Sequence, residues 1–200
     1  MAHPLGSVPA AVEASSSSAP ASSRAKPVWL PWVAGARRSE RDAFGKLHQH
    51  FARLVHAVII TRVPASDAAD LTQDVFVQML SKLPGLQDDQ AFPAWLLEIA
   101  RNRAARFLRD RPRTAPLEDV DEAEAPDRSG WPDAKKVLLA LQTMPEAYAE
   151  TLAMRLIEGL SGPDIAERTG LTSGSVRVNL HRGMAMLREK LGLSPKEGDE

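Results

Sequence analysis

The sequence predicts an all-α protein built of two small helical domains joined by a flexible acidic linker. Three observations carry that reading. Apolar residues recur at helical spacing in several long stretches. Aromatic strand formers are scarce, with one Tyr and five Phe in 200 residues, and Gly and Pro cluster in a few places. Charge is segregated. Residues 101–113 hold six arginines against one aspartate, a net of +5, and residues 114–134 hold seven acids against one arginine, a net of −6. These blocks nearly cancel within a total charge of −1, so the local fields, which steer partners, matter more than the sum.

Residues 1–40 start as an Ala/Ser/Pro-rich extension, "AAVEASSSSAPASS", too poor in apolar surface to order itself. Trp29 and Trp32 flank Pro31 at its end. They read either as a tail that packs on the next domain or as a docking peptide. Residues 41–113 read as the first helical domain. In "RDAFGKLHQHFARLVHAVIITRV" the residues Phe44, Leu47, Phe51, Leu54, Val55 and Val58 share a face. After Pro64, "SDAADLTQDVFVQMLSKL" forms a second helix with Ser66 as the expected N-cap and Asp67 and Asp70 near its positive end. The loop "LPGLQDDQAF" follows, then a helix from about Pro93 that stops at Pro112. Residues 114–134 are the linker, residues 135–193 the second helical domain, and residues 194–200 a solvated tail.

The second domain holds a helix-turn-helix. Ser161 and Asp164 have the spacing of a capping box. Ala166 is small where two helices cross, Gly170 suits a left-handed exit, Leu171 is expected to plug the turn, and Thr172 can cap the next helix. Val176, Leu180, Met184, Leu187 and Leu191 run down one face. The opposite side carries Gly174, Val178, His181 and Ala185, flanked by Ser175, Arg177 and Arg182, with Ser173 in the first turn. Arg177 and Arg182 can reach phosphate or a guanine edge, and Val178 suits a thymine methyl. His181 reads either as a phosphate donor or as a surface histidine. The Arg run of 101–113 adds sequence-independent affinity for a strand through counterion release.

Beyond those features, "DAADLTQDVFVQMLSKL" with "FPAWLLEIARNRAARFLRDRPR" resembles region 2 of the sigma-70 family, and "TMPEAYAETLAMRLIEGLSGPDIAERTGLTSGSVRVNLHRGMAML" resembles region 4. The short form with these two regions is the extracytoplasmic-function class. The resemblance implies a non-enzymatic protein of the cytoplasm that binds core RNA polymerase, through the β′ clamp helices and the β flap, and recognises promoter DNA. It implies no cofactor, and it implies an anti-sigma factor as a further partner. The −35 element falls to Ser173, Ser175, Arg177, Val178, His181 and Arg182. The −10 element falls to Gln87, Asp88, Asp89 and Gln90, in the loop that captures a flipped base, and to Asn102, Arg103, Arg106 and Arg109. Polymerase docking falls to Asp70, Gln73, Asp74 and Val77, which by pattern alone would be a solvated stripe. The linker reads either as a segment lying along the RNA exit path or as a charged spacer.

Two departures stand out against that family. Arg106 replaces a residue that is often acidic, and "MAML" follows "HRG" where further basic residues are usual, which points to a weaker −35 grip. The alternatives are a helix-turn-helix regulator that does not dock on polymerase, or a sigma-like decoy for an anti-sigma factor. Other chemistry is poorly supported. There is no cysteine, which removes disulfides, thiolate metal sites and cysteine nucleophiles. His48, His50 and His56 are offset by two and eight positions, unlike the i, i+4 pairs that share a metal. No phosphate loop and no nucleophile–base set is present. No apolar run reaches the ~20 residues of a membrane span, and the N-terminus lacks a basic region followed by an apolar core.

Overall fold

The computed structural model describes residues 26–111 and 133–193. Among these, eight α-helices and two single 3₁₀ turns are present: α1 Leu30–Arg37, α2 Arg41–Ile60, α3 Ala65–Lys82, the 3₁₀ turns Leu83–Gly85 and Asp89–Ala91, α4 Phe92–Asp110, α5 Ala134–Gln142, α6 Glu146–Leu156, α7 Gly162–Thr169 and α8 Ser173–Lys190. No helix among the described residues is long and apolar enough to cross a membrane. Of the 114–134 linker, residues 114–132 lie outside the described residues, as do the tail from 194 and positions 1–25, and Ala134 already starts α5.

The first domain is α2, α3 and α4 packed together, with α1 laid across α2. Leu47, Phe51, Leu54, Val55 and Val58 of α2 are buried, as the spacing predicts, while Phe44 is half-buried. Leu71, Val75 and Met79 of α3 meet Leu96, Ile99 and Ala100 of α4 in the same core, and Trp95 is a half-buried packing residue. Two details differ from the sequence reading. The α3 N-cap is Pro64 with no side-chain cap, and Ser66 lies inside the first turn. Pro64 lacks an N–H and its φ of −56° already matches helical entry, so the chain turns one residue before Ser66 can cap. The helix α4 ends at Asp110, two residues before Pro112, because the position before a proline is pushed to extended geometry and Arg111 has ψ 129°.

The expected disordered extension gives way to structure before residue 40. Residues 30–37 form α1, and Trp29 ahead of it is buried, edge-on to Phe51 at 5.9 Å and 6.1 Å from Phe92. Thus the aromatic end of the extension is core. Gly35 makes the close crossing possible, since a Cβ there would lie 2.7 Å from the Ala43 Cβ and from a Glu40 carboxylate oxygen.

The second domain is α5 to α8, and it sits directly on the first through α2 and α4. The joint is polar. Arg62, after α2, and Arg101, on α4, converge on Glu150 of α6: Arg62 Nη2 lies 2.7 Å from Oε1, and Arg101 donates to both carboxylate oxygens at 3.0 and 2.9 Å. Both guanidiniums also reach Glu146 Oε1 at 2.7 Å. These contacts hold the Arg101 guanidinium in its charged form and raise its pKa, chiefly through its hydrogen bond to Glu150. Gln142 Nε2 donates to the carbonyls of Ile60 and Val63, both at 3.0 Å. His56 Nδ1 and Glu158 Oε1 are 2.5 Å apart, and Arg168 Nη1 donates to the His50 carbonyl at 3.0 Å.

His50 is expected to make this joint sensitive to acid. Its Nε2 is buried with no hydrogen-bond partner. Burial, then the nearby Arg168 charge, holds its pKa below the ordinary value of 6.5, against weaker opposing fields from Glu167 and Asp164. Its unfolded form therefore takes up a proton at a higher pH than its folded form. Below about pH 6.5 the unfolded state binds more protons, so stability falls as pH drops through that window and is unaffected above it. The melting temperature should fall between about pH 7.5 and pH 5.5, and His50→Gln should flatten that fall. An equal pH dependence in the variant would remove His50 as the cause.

Candidate nucleic-acid interface

The helix-turn-helix has the local chemistry that its sequence dictates. Ser161 caps α7, accepting from the Asp164 N–H, while the Asp164 carboxylate returns a bond to the Ser161 N–H, so two orphan donors are satisfied reciprocally. The Asp164 carboxyl is held below the usual range, first by its side-chain bond to Ser161. Gly170 ends α7 with φ 76°, the left-handed exit. Thr172 caps α8 by accepting from the Ser175 N–H at 3.0 Å. Val176 and Leu187 are buried, Leu180, Met184 and Leu191 are half-buried, and Ala166 sits at the crossing. Leu171 is 37% exposed and does not plug the turn. The turn is closed instead by two backbone N–H donors, Gly170 to the Ala166 carbonyl and Leu171 to the Thr169 side-chain hydroxyl.

All six residues assigned to this reading face are exposed: Ser173, Ser175, Arg177, Val178, His181 and Arg182. The Ser175 hydroxyl lies 2.8 Å from that of Thr172, so it belongs to the cap as much as to the surface. Docking of the second domain on the first leaves this face uncovered, because the contact is made by α6, α7 and the end of α5 and not by the outer side of α8.

The structure divides the other candidates into groups. On α4, Asn102, Arg106 and Arg109 are exposed and fall at i, i+4 and i+7, one stripe of the helix. Their only ionic partners among the described residues are weak: Arg106 and Arg109 lie 3.5 and 3.7 Å from Asp110 oxygens. Asn102 Nδ2 donates to Glu98 at 3.0 Å. Arg103 stands off that stripe. It is bound to Asp74 of α3, with Nη2 at 2.6 Å and Nε at 3.1 Å from Oδ2. Two residues assigned to different interfaces thus pair with each other and tie α3 to α4. The remaining α3 residues, Asp70, Gln73 and Val77, form an exposed stripe, with Val77 68% accessible.

The loop before α4 is built by its own polar side chains. Asp88 accepts from the Gln90 N–H at 2.9 Å and caps the second 3₁₀ turn. Gln87 Nε2 donates to the Gly85 carbonyl at 3.2 Å. Asp89 is engaged by Arg37 at 2.6 Å. Gln90 has an exposed side chain with no hydrogen-bond partner among the described residues. Sequence reasoning missed Arg37 here and Arg62, Arg101 and Glu150 at the domain joint. Each pairs with residues far away in the chain, and no local spacing signals such a contact.

Known proteins show the same arrangement. A family model for sigma-70 region 2 matches residues 47–114, and one for sigma-70 region 4 matches residues 134–187. The ECF RNA polymerase sigma-E factor of Escherichia coli is 25% identical over 175 residues, covering 80% of this chain and 92% of that protein. The sigma-E factor of Haemophilus influenzae is 26% identical over 175 residues, covering 80% and 93%. Among solved structures, CnrH in complex with the cytosolic domain of CnrY superposes with a TM-score of 0.52 at 27% identity, covering 82% of this chain and 96% of that one. With both family regions in order, on two helical domains that each present an exposed face of the expected kind, the chain belongs to the sigma-70 family, in the extracytoplasmic-function class.

Proposed function

We propose that this protein is an alternative sigma factor that binds core RNA polymerase and directs it to promoters, with α8 reading the −35 element and the α4 stripe with its preceding loop reading the −10 element. The observation that carries this reading is the pairing of two different DNA faces in one chain. One is a capped recognition helix with exposed Ser173, Arg177, Val178, His181 and Arg182. The other is a basic helix stripe next to a polar loop, suited to a strand whose base is turned out of the stack. Within that loop, Gln90 is the residue whose side chain is uncommitted to the protein, so it is the proposed base reader. Arg106 and Arg109 supply phosphate contacts.

Asp70, Gln73 and Val77 on α3 support docking to the polymerase β′ clamp helices, and a contact of the second domain with the β flap is proposed beside it. The stripe on α3 favours this reading over a regulator or decoy that never meets polymerase. The same likeness supports a non-catalytic role in the cytoplasm. Because CnrH is seen with the cytosolic domain of CnrY, a protein partner that holds this factor inactive, an anti-sigma factor, is proposed too.

Transcription in vitro with purified core polymerase and a randomised-promoter plasmid library tests the proposal. Discrete start sites that depend on this protein are the expected result. Absence of both start sites and a complex with core would refute it.

A further inference from the structure

We propose that α1 is a brace for the −10 loop and that Arg37 is a positioning residue for base reading. This rests on the reading of Gly85–Gln90 as the loop that takes a −10 base. The helix α1 precedes the segment that the region 2 family model matches, which starts at residue 47. Two contacts nevertheless attach it and its N-cap residue Trp29 to the middle and the exit of the loop and not merely to the domain.

The first contact is ionic. Arg37 Nη2 donates to the Leu86 carbonyl at 2.8 Å and to Asp89 Oδ1 at 2.6 Å. One guanidinium therefore bridges residues on either side of Gln87 and Asp88. The pair is about one-third exposed, and a salt bridge so placed adds little to global stability. Its effect is on loop shape. It neutralises an acid that would otherwise face the approaching DNA backbone, and it fixes the 3₁₀ turn that carries Gln90.

The second contact is apolar. Trp29 lies at 6.1 Å from Phe92, the first residue of α4, and Phe92 is fully buried between Trp29, Phe51 and Trp95. The loop's exit is thus anchored from the same helix whose last residue clamps its middle. Gly35 admits the close approach of α1 to α2 that sets both contacts. Sequence would place Arg37 in a tail. The structure gives it a partner 52 positions away.

A fixed loop presents Gln90 in one geometry, and misplacement of a reading group by a fraction of its hydrogen-bond length removes discrimination before it removes binding. The test uses the full chain, core polymerase and the randomised-promoter library. Arg37→Ala should lose about tenfold of the base preference at one −10 position. It should leave core affinity and the −35 preference at the wild-type level, and its melting temperature close to it. Arg37→Lys should recover part of the preference, since an ammonium reaches Asp89 but lacks the planar fork that serves both acceptors.

Gln90→Ala is run beside it. If Gln90→Ala relaxes that position while Arg37→Ala and Arg37→Gln keep full discrimination, the brace is refuted and the loop reading stands. If loop substitutions Gln87→Ala, Asp88→Ala and Gln90→Ala change no −10 preference, the loop reading itself fails, and the brace with it. A uniform loss on every promoter with a lowered melting temperature in Arg37→Ala and Arg37→Gln would mark Arg37 as structural only and also overturn the proposal.

Discussion

Glu150→Ala is expected to separate the two helical domains. Glu150 has 6% of its side chain exposed and receives both Arg62 and Arg101. Removing it leaves two guanidiniums, 18% and 31% exposed, facing a cavity where a carboxylate stood. Breaking a buried pair from one side costs about 3–5 kcal/mol, most of it from the charge left behind. Glu146 still accepts from both arginines, which places the expected cost near the lower end, about 3 kcal/mol. Because the arginines belong to the first domain and the glutamate to the second, the loss falls on the joint and not on either core. Small-angle scattering should show a larger radius of gyration, while helical circular dichroism is retained. Glu146→Ala is the control. That carboxylate is 56% exposed, so its removal should change the joint by under about 1 kcal/mol. A Glu150→Ala protein as compact as wild type would show that apolar packing between α2 and α6 holds the domains by itself.

Val77→Asp should abolish much of the affinity for core polymerase without harming the fold. Val77 is 68% exposed beside the polar Asp70, Gln73 and Asp74, so it contributes little to the core. Substituting it costs the folded protein within about 0.5 kcal/mol. In a docked interface it becomes a desolvated contact, and an acid there should weaken binding at least about tenfold. The measurement is core affinity by fluorescence anisotropy, with the melting temperature as the fold control. Asp74→Arg would be a poorer probe, since Arg103 binds Asp74 at 2.6 Å and a second guanidinium there would repel it within the fold. Unchanged affinity for Val77→Asp would place the docking face elsewhere.

Much of this protein was legible in one dimension. Leu71, Val75 and Met79 fall on one side of α3 and Asp70, Gln73 and Val77 on the other because helical period alone assigns faces. The capping box of Ser161 and Asp164, the left-handed Gly170 and the Thr172 cap are interactions across three or fewer residues, which spacing encodes directly. Even the reading face of α8 follows by subtraction, once Val176 and Leu187 are known to be inside.

Local sequence went wrong where a neighbour outside its window decided the outcome. Pro64 pre-empted Ser66 as the start of α3. Leu171 stays 37% exposed, with the turn closed by its own N–H on the Thr169 hydroxyl and by the Gly170 N–H on the Ala166 carbonyl. Residues 30–37, expected within a disordered extension, form α1, while Trp29 packs on Phe51 and Phe92 as one of its two sequence readings had it.

By itself, then, the sequence determined the helices α2, α3, α4, α7 and α8, their faces and the family. Each of these depends on periodicity, caps or motifs within a turn or two of helix. Only the tertiary structure decided which charges are spent inside the protein and which remain for DNA or polymerase. Arg103 goes to Asp74, Arg101 and Arg62 to Glu150, and Arg37 to Asp89, leaving Arg106, Arg109 and Gln90 outward. The physical reason is that an ion pair depends on separation in space, and partners from 29 positions apart (Arg103 and Asp74) to 88 (Arg62 and Glu150) leave no trace in spacing along the chain.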